Sequence, residues 1–391
     1  MSRRPPVEER PKVIHVTTTD VSLELLLGPQ LEAFAAAGYD VIGASAPGPY
    51  LDALRDRGIR HVALQHSTRS MAPAEDLRAA RELFQVIRRE RPAIVHTHNP
   101  KPGWYGRPVA RLARVPVVCN TVHGLYATAD DSLARRSVVY ALERFAVTCS
   151  DAELVQSSED VDTLRRLRVP GRKLHTLGNG IDLARFSPSV VDPDAVAACR
   201  AGFGAAPDTV VVGAVGRLVW EKGLREVFAA AEQLRRTAPD VLVVAIGPLD
   251  PEKGDGLTAA DLDQITATSG VHFAGERHDM EVVYAALDAY VLASHREGFP
   301  RSAMEASALG TPVIATDIRG CRQVVDHEVT GVLFPVGDAT ALATAIARVA
   351  GDPDLRARYG AAARSKAQVD FDQRTQIDLT LATYAHLLAR T

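Results

Sequence analysis

Short apolar runs rich in valine and isoleucine recur along the chain and alternate with stretches whose apolar residues have helical spacing. Runs of this length, bounded by turn residues, predict buried strands. In the first half they lie at 12–18, 39–46, 61–65, 93–98, 116–123 and 152–158. Helical patterns lie among them at 31–39, 73–92 and 131–149. Strands that alternate with helices predict a parallel sheet covered on both faces.

The same alternation restarts after 179–208, a segment dense in Pro, Gly and Asp that predicts a linker. The apolar runs of the second half lie at 209–218, 241–247, 271–275, 289–294, 311–317 and 331–336. We therefore predict an α/β protein of two doubly wound, Rossmann-like domains, at 1–190 and 191–371, that face a central cleft. The remaining residues, 372–391, form one amphipathic helix.

Composition narrows the choice of partner. The 391 residues suffice for two cores, and a net charge of −3 gives no argument for nucleic acid. Residues 1–190 carry 26 Lys and Arg against 21 Asp and Glu. From the totals of 45 and 48, residues 191–391 carry 19 Lys and Arg against 27 Asp and Glu. A basic first half can meet an anionic acceptor or a membrane surface, although scattered surface arginines explain the same count.

The chain shows no sign of export or membrane insertion. Residues 1–12 carry positive charge without the apolar core of a signal peptide, and no run reaches the roughly 18 uncharged apolar residues of a spanning helix. We therefore expect a cytoplasmic protein, with peripheral contact at the inner face of the membrane through the first domain as an option.

The stretch "SHREGFPRSAMEASALG" follows the strand candidate at 289–294 and predicts a helix from Phe299 to Leu309 with Pro300 in its first turn. Glu297 and Gly298 then lie at a strand end. The first-turn amides of Arg301 and Ser302, with the positive end of the helix dipole, form a receptor for phosphate.

Glu305 lies near the second turn of the same helix, and helical side chains lean toward the N-terminus. Carboxylates accept hydrogen bonds strongly from hydroxyl groups. One glutamate for a hexose and one for a ribose beside a diphosphate would account for the pair. A helix-capping glutamate and a surface glutamate are the structural alternative.

A second anion signal is "GRLVWEKG", which directly follows the strand candidate at 209–218. Arg217 and Lys222 can converge on one diphosphate and neutralise the charge of a departing nucleotide. Gly216 and Gly223 let the chain approach it closely. Taken alone, an arginine and a lysine at this spacing would more often be ordinary surface charges.

Histidines mark the ends of two strands in the first half. His123 follows one strand beside Gly124 and is a candidate for contact with a reacting sugar. His96 and His98 share one face of the preceding strand and could bind metal, but no third ligand is evident. We interpret this pair and Lys101 as wall and packing residues of an acceptor side.

Together, "GNGIDLARFSP", "GRLVWEKG", "EGFPRSAMEA", "GTPVIATD" and "VTGVLFPVGD" resemble the retaining nucleotide-sugar transferases of glycosyltransferase family 4, which have the GT-B fold. The resemblance is strongest from 177 to 338. In the first half, "IVHTHNPKPGWYGR" and "NTVHGLY" are similar to members that build polysaccharide repeats or glycolipids.

The resemblance implies transfer from a nucleoside diphosphate sugar, most often a UDP-sugar, with retained configuration and no essential metal or other cofactor. It also implies a terminal helix at 372–391 that crosses back to the first domain. By position, Arg217 and Lys222 would hold the diphosphate, Glu297 the donor sugar and Glu305 the ribose, with His123 near the transferred centre.

Two positions depart from the family pattern. The glycine pair usual after the first strand is missing, since "TTTDVSLELLLGPQ" has no glycine before Gly28, and Gln323 replaces a usual glutamate.

Three other functions remain as alternatives to a retaining glycosyltransferase. They are a sugar-nucleotide epimerase of the same architecture, a transferase for small-molecule acceptors and a non-enzymatic binding protein. A nicotinamide dehydrogenase is excluded by the absence of GxGxxG after the first strand.

Overall fold

A computed structural model describes residues 10–98, 100–127, 131–250 and 254–391. The prediction that the first twelve residues are not a signal peptide falls mainly on residues 1–9, outside this range. The described chain divides into unit 1, residues 1–178 with 374–391, and unit 2, residues 179–373. None of the described helices combines the length and the apolarity that crossing a lipid bilayer requires.

Unit 1 is built on a parallel sheet whose strand order over the described residues is β3-β2-β1-β4-β5-β6-β7. Its strands are β1 (Lys12–Thr19), β2 (Asp40–Ala46), β3 (Arg60–Ala63), β4 (Ile94–His98), β5 (Val117–Val122), β6 (Ala152–Val155) and β7 (Leu174–Thr176). The helices between them are α1 (Gly28–Ala36), α2 (Leu51–Asp56), α3 (Pro73–Glu90), α4 (Pro100–Leu112), α5 (Leu133–Thr148) and α6 (Ser158–Arg166). The sequence pattern missed β7, which is short and only partly buried.

Unit 2 has a second parallel sheet, with the order β10-β9-β8-β11-β12-β13 over the described residues. Its strands are β8 (Val210–Val215), β9 (Val241–Ile246), β10 (His272–Gly275), β11 (Ala289–Leu292), β12 (Val313–Thr316) and β13 (Gly331–Phe334). The helices are α7 (Pro193–Gly202), α8 (Leu224–Thr237), α9 (Ala259–Ser269), α10 (Met280–Ala285), α11 (Arg301–Ala308), α12 (Arg319–Arg322), α13 (Ala339–Gly351) and α14 (Pro353–Asp370). Apolar clusters cover both faces of the sheet, as buried parallel strands require.

The units divide between Gly178 and Asn179, not at 190 as the sequence suggested. Asn179 donates from Nδ2 to the carbonyl of Phe299 at 3.0 Å, and the amide of Ile181 donates to the carbonyl of Phe371 at 2.9 Å. Ile181 is fully buried in a core cluster of unit 2. The start of the Pro- and Gly-rich segment is therefore an ordered part of the second unit.

The last helix, α15 (Gln373–Leu388), packs in unit 1 almost entirely. Tyr384 is fully buried in a cluster with Val13 and Phe34, and its ring contacts that of Phe34 with centroids 5.6 Å apart. Its hydroxyl group also lies in hydrogen-bond contact with Nδ1 of His96. The end of the chain thus closes the core beside the first strand.

A buried ionic cluster joins α4, α5, β5 and β6. The Arg107 guanidinium contacts Glu143 at 2.7 Å and Glu153 at 2.8 Å. Asn120 donates to the second oxygen of Glu153 at 2.8 Å, so the buried carboxylate has several partners. Burial raises the pKa of Glu153, against the opposing effect of Arg107. Removing one partner would leave a buried charge uncompensated, which makes this cluster sensitive to single substitutions.

We expect Tyr384→Ala to destabilise unit 1 by roughly 3–5 kcal/mol, because it opens a large cavity and removes a partner of His96. Hydrogen exchange of the β1 amides, which reports on unit 1 by itself, measures the effect. Ala385→Ser, at the neighbouring exposed position, is the control and should leave exchange unchanged. Equal protection in both variants would contradict the structural role of α15.

Candidate functional site

In unit 2 the strand order reverses beside β8, which pairs with β9 on one side and β11 on the other. Crossovers that leave in opposite directions open a crevice at the carboxyl ends of these two strands, and ligands of open α/β sheets bind at such a point. Gly216 and Arg217 follow β8, and the crevice is lined by both of them, by Lys222 and by the end of β11. The sequence motifs thus converge on the switch point of this sheet.

Lys222 ends a short helical turn, Trp220–Lys222, and is followed by Gly223 in the left-handed conformation, with φ of 71°. A Cβ at Gly223 would lie 1.9 Å from the carbonyl oxygen of Ala293, so only glycine fits. This close approach brings the ammonium of Lys222 within 2.7 Å of Oε1 of Glu297. Lys222, which the sequence assigned to the diphosphate, and Glu297, which it assigned to the donor sugar, therefore form one ion pair.

Arg217 is exposed and pairs with Asp250, with Nη1 and Oδ2 2.5 Å apart. Each predicted cation of the crevice thus contacts a carboxylate. An exposed pair of this kind holds its partner weakly, so a diphosphate with its higher charge can compete for the guanidinium. Asp250 was not identified from the sequence, since it follows a different strand, β9.

The backbone around Glu297 is fixed by two residues that the sequence analysis did not assign to the site. Gly320 lies so close that a Cβ there would approach the carbonyl oxygen of Glu297 to 2.6 Å. The amide of Asn179 holds the carbonyl of Phe299, two residues further on. Gly298 and Phe299 are half-buried between these contacts. The Asn-Gly pair at 179–180 was part of the quoted family motif and was the available signal.

Helix α11 begins at Arg301, with Pro300 as its N-cap. The sequence predicted a helix from Phe299 with Pro300 in its first turn, but the ψ of Pro300, 112°, is extended, so the helix starts two residues later than predicted. Ser302 accepts a hydrogen bond on Oγ from the hydroxyl group of Tyr290 at 2.8 Å. Arg301 and Ser302 do occupy the first turn, where backbone amides favour anions.

Glu305 lies one turn further along α11. Burial raises its pKa to about 7, while the charge of Arg301 and a hydrogen bond with Tyr284 act in the opposite direction. A carboxyl group with this pKa changes charge near neutral pH. It can therefore accept hydrogen bonds from hydroxyl groups when ionised and donate one when protonated.

In unit 1, His123 directly follows β5, and its Nε2 lies 3.1 Å from Nδ1 of His98. Nε2 of His98 lies 2.9 Å from Nδ1 of His15, which is a residue of β1. Burial lowers the pKa of His123 to about 4, despite an opposing hydrogen bond with Gln156, and lowers that of His15 to about 3. These imidazoles are therefore neutral at pH 7.

His96 and His98 share one face of β4, as the sequence predicted, with ring centroids 4.3 Å apart. His15 is the third histidine that the sequence analysis did not identify, and nitrogens of these three residues lie within 4.8 Å of one another. His96, however, uses Nε2 to contact Thr121 at 2.7 Å and Nδ1 to contact Tyr384. Its pKa is lowered, first of all by burial.

Lys101, interpreted from the sequence as a wall and packing residue, is buried, and its ammonium binds backbone carbonyls. Its ammonium donates to the carbonyls of Thr68 at 2.8 Å and Ser70 at 2.5 Å and contacts Asp76. It thereby holds the segment that carries Arg69. Beside it, at the carboxyl ends of β1 and β4, lies a cavity of about 180 Å³.

The cavity combines aromatic, apolar and cationic side chains. Trp104 and Tyr126 meet edge to face with centroids 5.9 Å apart, and both line it together with Met71 and Arg69. Aromatic rings and a guanidinium suit a ligand that has both apolar faces and negative charge.

The segment after β1, where the sequence lacks the glycine pair, is helical. The chain turns directly into helix there, with a π-helical turn over Ser22–Leu26 that runs into α1. Asp20 secures the turn by accepting from the amides of Val21 at 2.9 Å and Tyr50 at 2.7 Å. The chain after β1 is thus a helical segment anchored by Asp20.

Comparison with known proteins gives matches over both units. Residues 198–366 match the family described as Glycosyl transferases group 1, and residues 30–185 match Glycosyltransferase Family 4. An Escherichia coli UDP-Gal:alpha-D-GlcNAc-diphosphoundecaprenol alpha-1,3-galactosyltransferase is 31% identical over 314 residues, 79% of each chain. A D-inositol 3-phosphate glycosyltransferase of Saccharomonospora viridis is 33% identical over 320 residues, 76% of this chain and 70% of that protein.

Among solved structures, Anabaena Alr3699/HepE in complex with UDP and glucose superimposes with a TM-score of 0.80 at 20% identity, covering 96% of this chain and all of that one. Similarity at this level of identity bears on the fold alone. It confirms the predicted two-unit α/β fold of the GT-B class.

The raised pKa of Glu305 predicts that the stability of unit 2 falls as the pH rises. Because its folded pKa is raised from 4.5 to about 7, its stabilising contribution is present below pH 4.5 and is lost as the pH rises through 7. Between pH 5 and 8 we expect the wild-type protein to lose roughly 2 kcal/mol more stability than Glu305→Gln. Hydrogen exchange of the β11 and β12 amides measures this. Glu232→Gln, an exposed carboxyl on α8, is the control, and parallel pH curves for all three proteins would refute the assignment.

Proposed function

Because this chain belongs to the glycosyl transferases group 1 of glycosyltransferase family 4, we propose that it moves a sugar from a UDP-sugar to a hydroxyl group of a lipid-linked glycan or polysaccharide-repeat acceptor, with retained anomeric configuration. The observation that carries this proposal is the Lys222–Glu297 pair, with Arg217, at the switch point of unit 2. Family membership favours transfer over the epimerase and binding-protein alternatives.

The diphosphate of the donor binds Arg217 and Lys222 in this proposal. The structure supports it because both cations line one crevice and Lys222 contacts Glu297, which precedes the first turn of α11 at Arg301. When the phosphates replace Glu297 as the partner of Lys222, the carboxylate of Glu297 becomes available for sugar hydroxyl groups. Glu305, a turn further along the helix, accepts from the ribose. The ion pair therefore keeps Glu297 positioned before it meets the donor.

Retention follows in this proposal from attack on the face that the leaving group occupies. The acceptor hydroxyl forms its bond to the anomeric carbon as the bond to the diphosphate breaks, and its proton passes to the departing phosphate oxygen. Arg217, Lys222 and the α11 amides stabilise the charge that develops there. Because these groups supply the positive field, the reaction proceeds without a divalent metal.

His123 contacts the donor sugar near the transferred centre but is not the proton acceptor. Its low pKa makes it neutral over the working range and a weak base. Its contribution is a hydrogen bond, so His123→Ala retains part of the activity.

The acceptor binds in the cavity beside Lys101. Trp104 and Tyr126 supply ring faces for a sugar or an isoprenoid, and Arg69 supplies a charge for a diphosphate. The Escherichia coli relative, named for a diphosphoundecaprenol-linked acceptor, supports this class. A small-molecule acceptor is the second candidate, because the inositol-phosphate relative is equally similar in sequence.

Helix α5 provides a surface for peripheral contact with an anionic membrane. Its exposed apolar side chains, at 38–76% relative exposure, are Leu133, Val138, Leu142 and Phe145. Arg135 and Arg144 are exposed on the same helix. Val138, Leu142 and Phe145 form an apolar stripe on one side of α5, and such a stripe beside arginines matches the chemistry of an interfacial helix. We propose on this ground a cytoplasmic protein that works at the inner membrane face.

The test of the proposed reaction is the product itself. With a UDP-α-hexose and an acceptor carrying a short diphosphate-linked lipid and one sugar, we expect an α-linked product, formed at an undiminished rate in excess EDTA. Proton NMR of the new anomeric centre decides the configuration. A β-linked product would overturn the retaining mechanism, and activity that EDTA abolishes and magnesium restores would overturn metal independence.

We expect Arg217→Ala and Lys222→Ala each to lower kcat/KM by an amount equivalent to roughly 2–4 kcal/mol of transition-state stabilisation. His123→Ala should lose less. Arg236→Ala, an exposed cation at the end of α8, is the matched control and should retain full activity. Near-wild-type turnover in both crevice variants would rule out their role at the diphosphate.

A further inference from the structure

Trp104 on α4 is tied to a buried carboxylate on the neighbouring helix. Its indole Nε1 donates to Oε2 of Glu143 at 2.9 Å. Glu143 lies on α5 and is buried, whereas the Trp104 ring is half-buried and lines the cavity beside Lys101. The hydrogen bond therefore joins the wall of the proposed acceptor site to the ionic cluster of unit 1.

The carboxylate of Glu143 is itself fixed in place. Its other oxygen, Oε1, accepts from Nη2 of Arg107 at 2.7 Å. Arg107 also contacts Glu153 and donates from Nε to the carbonyl of Gly103 at 2.7 Å. Arg107 and Trp104 are three residues apart on α4, so both reach the same carboxylate of α5. The group that holds Trp104 is therefore held by the core.

This hydrogen bond decides what Trp104 offers a ligand. An indole has one N–H donor and no acceptor. Glu143 uses that donor, and the described residues that line the cavity do not include Glu143. Trp104 therefore presents ring surface to the cavity. Tyr126 meets this ring edge to face, and the guanidinium of Arg135 lies 5.1 Å from the centroid of the Tyr126 ring, so the aromatic pair is braced at both ends.

We propose that Glu143 is a positioning residue for the acceptor, which acts by fixing the indole of Trp104 as a rigid apolar wall of the cavity. The acceptor itself rests on the proposed function. Trp104 and Met71 together offer a ligand no N–H or O–H group, which favours the prenyl part of the acceptor over its sugar. A ring that is already immobile loses little rotamer freedom when ligand binds, so the hydrogen bond acts on affinity and not on the chemical step.

A purely structural role for the cluster is the competing interpretation. Glu143 would then stabilise unit 1 through Arg107, with Trp104 as one more partner. A structural residue changes stability alone, whereas a positioning residue changes acceptor affinity, and only while Trp104 is present. Acceptor affinity therefore separates the two interpretations.

Fluorescence tests the positioning without any substrate. Trp104 and Trp220 are the two tryptophans of the chain, so Trp220→Phe leaves Trp104 as the only one. We expect its time-resolved anisotropy to report tumbling of the protein alone, and expect Glu143→Gln in the same background to add a nanosecond local motion. The glutamine oxygen stays with the charged Arg107 and turns the NH₂ group toward the indole N–H, so the variant breaks the bond to Trp104 selectively. Equal decays in the two proteins would overturn the positioning role, whether or not the proposed reaction takes place.

A sugar diphosphate on a short prenyl chain is the probe for the wall. In Trp220→Phe we expect it to quench Trp104, with a Kd that Glu143→Gln raises about tenfold, as for one lost hydrogen bond. The same sugar diphosphate without the prenyl chain should not quench. An unchanged Kd in Glu143→Gln would refute the inference, and quenching without the prenyl chain would overturn the prenyl assignment. An immobile Trp104 that neither probe quenches would overturn the placement of the acceptor in this cavity.

A double-mutant cycle shows whether Glu143 acts through Trp104. Trp104→Phe and Glu143→Gln should each raise the acceptor KM about tenfold with little change in kcat, and the double variant should raise it no further. Glu90→Gln is the control, because Glu90 pairs with Lys12 at the start of β1, away from the strand ends beside the cavity. It should lower the stability of unit 1 and leave KM unchanged. Independent effects that multiply in the double variant would refute the inference. If Glu143→Gln does not fold, an unchanged KM in Trp104→Phe refutes it as well.

Discussion

Both units depend on one topological constraint, the reversal of strand order beside the first strand of each sheet. β1 lies between β2 and β4, and β8 lies between β9 and β11. Since parallel strands end at the same edge, each reversal brings two strand ends together without a covering crossover. His15 and His98 approach each other across the first reversal, and Arg217, Lys222 and Glu297 across the second. The chemistry of the protein is thus placed by chain order before any side chain makes a contact.

The two switch points handle charge in opposite ways. Unit 2 concentrates cations and carboxylates at its edge, and they neutralise one another as ion pairs. Unit 1 buries imidazoles whose pKa values are lowered, so this histidine cluster is polar but uncharged at neutral pH. In the reaction we propose, negative charge develops on the nucleotide and not on the acceptor. Ion pairs at the crevice of unit 2 and neutral imidazoles in unit 1 match that asymmetry.

The sequence predicted most strands and the positions of the motifs after them, because apolar runs and strand-end residues are local signals. It could not predict the pairing of Lys222 with Glu297, which depends on Gly223 packing against Ala293 across the sheet. His15 was missed because it stands inside an apolar run, where nothing marks one strand residue as the neighbour of another strand's histidine. Lys101 was interpreted as a wall and packing residue, but its carbonyl partners at 68 and 70 lie 33 and 31 residues away in the chain, and no local signal identified them.

The placement of α15 has a consequence for how the protein is made. Unit 1 contains both ends of the described chain, while unit 2 is a continuous insertion between them. On the ribosome, unit 2 is complete before α15 emerges, so the nascent first unit waits with the core around Val13 and Phe34 uncovered. Transiently exposed apolar surface of this kind favours aggregation until the core is closed. Termination before α15 would therefore damage the unit synthesised first and leave the later one intact.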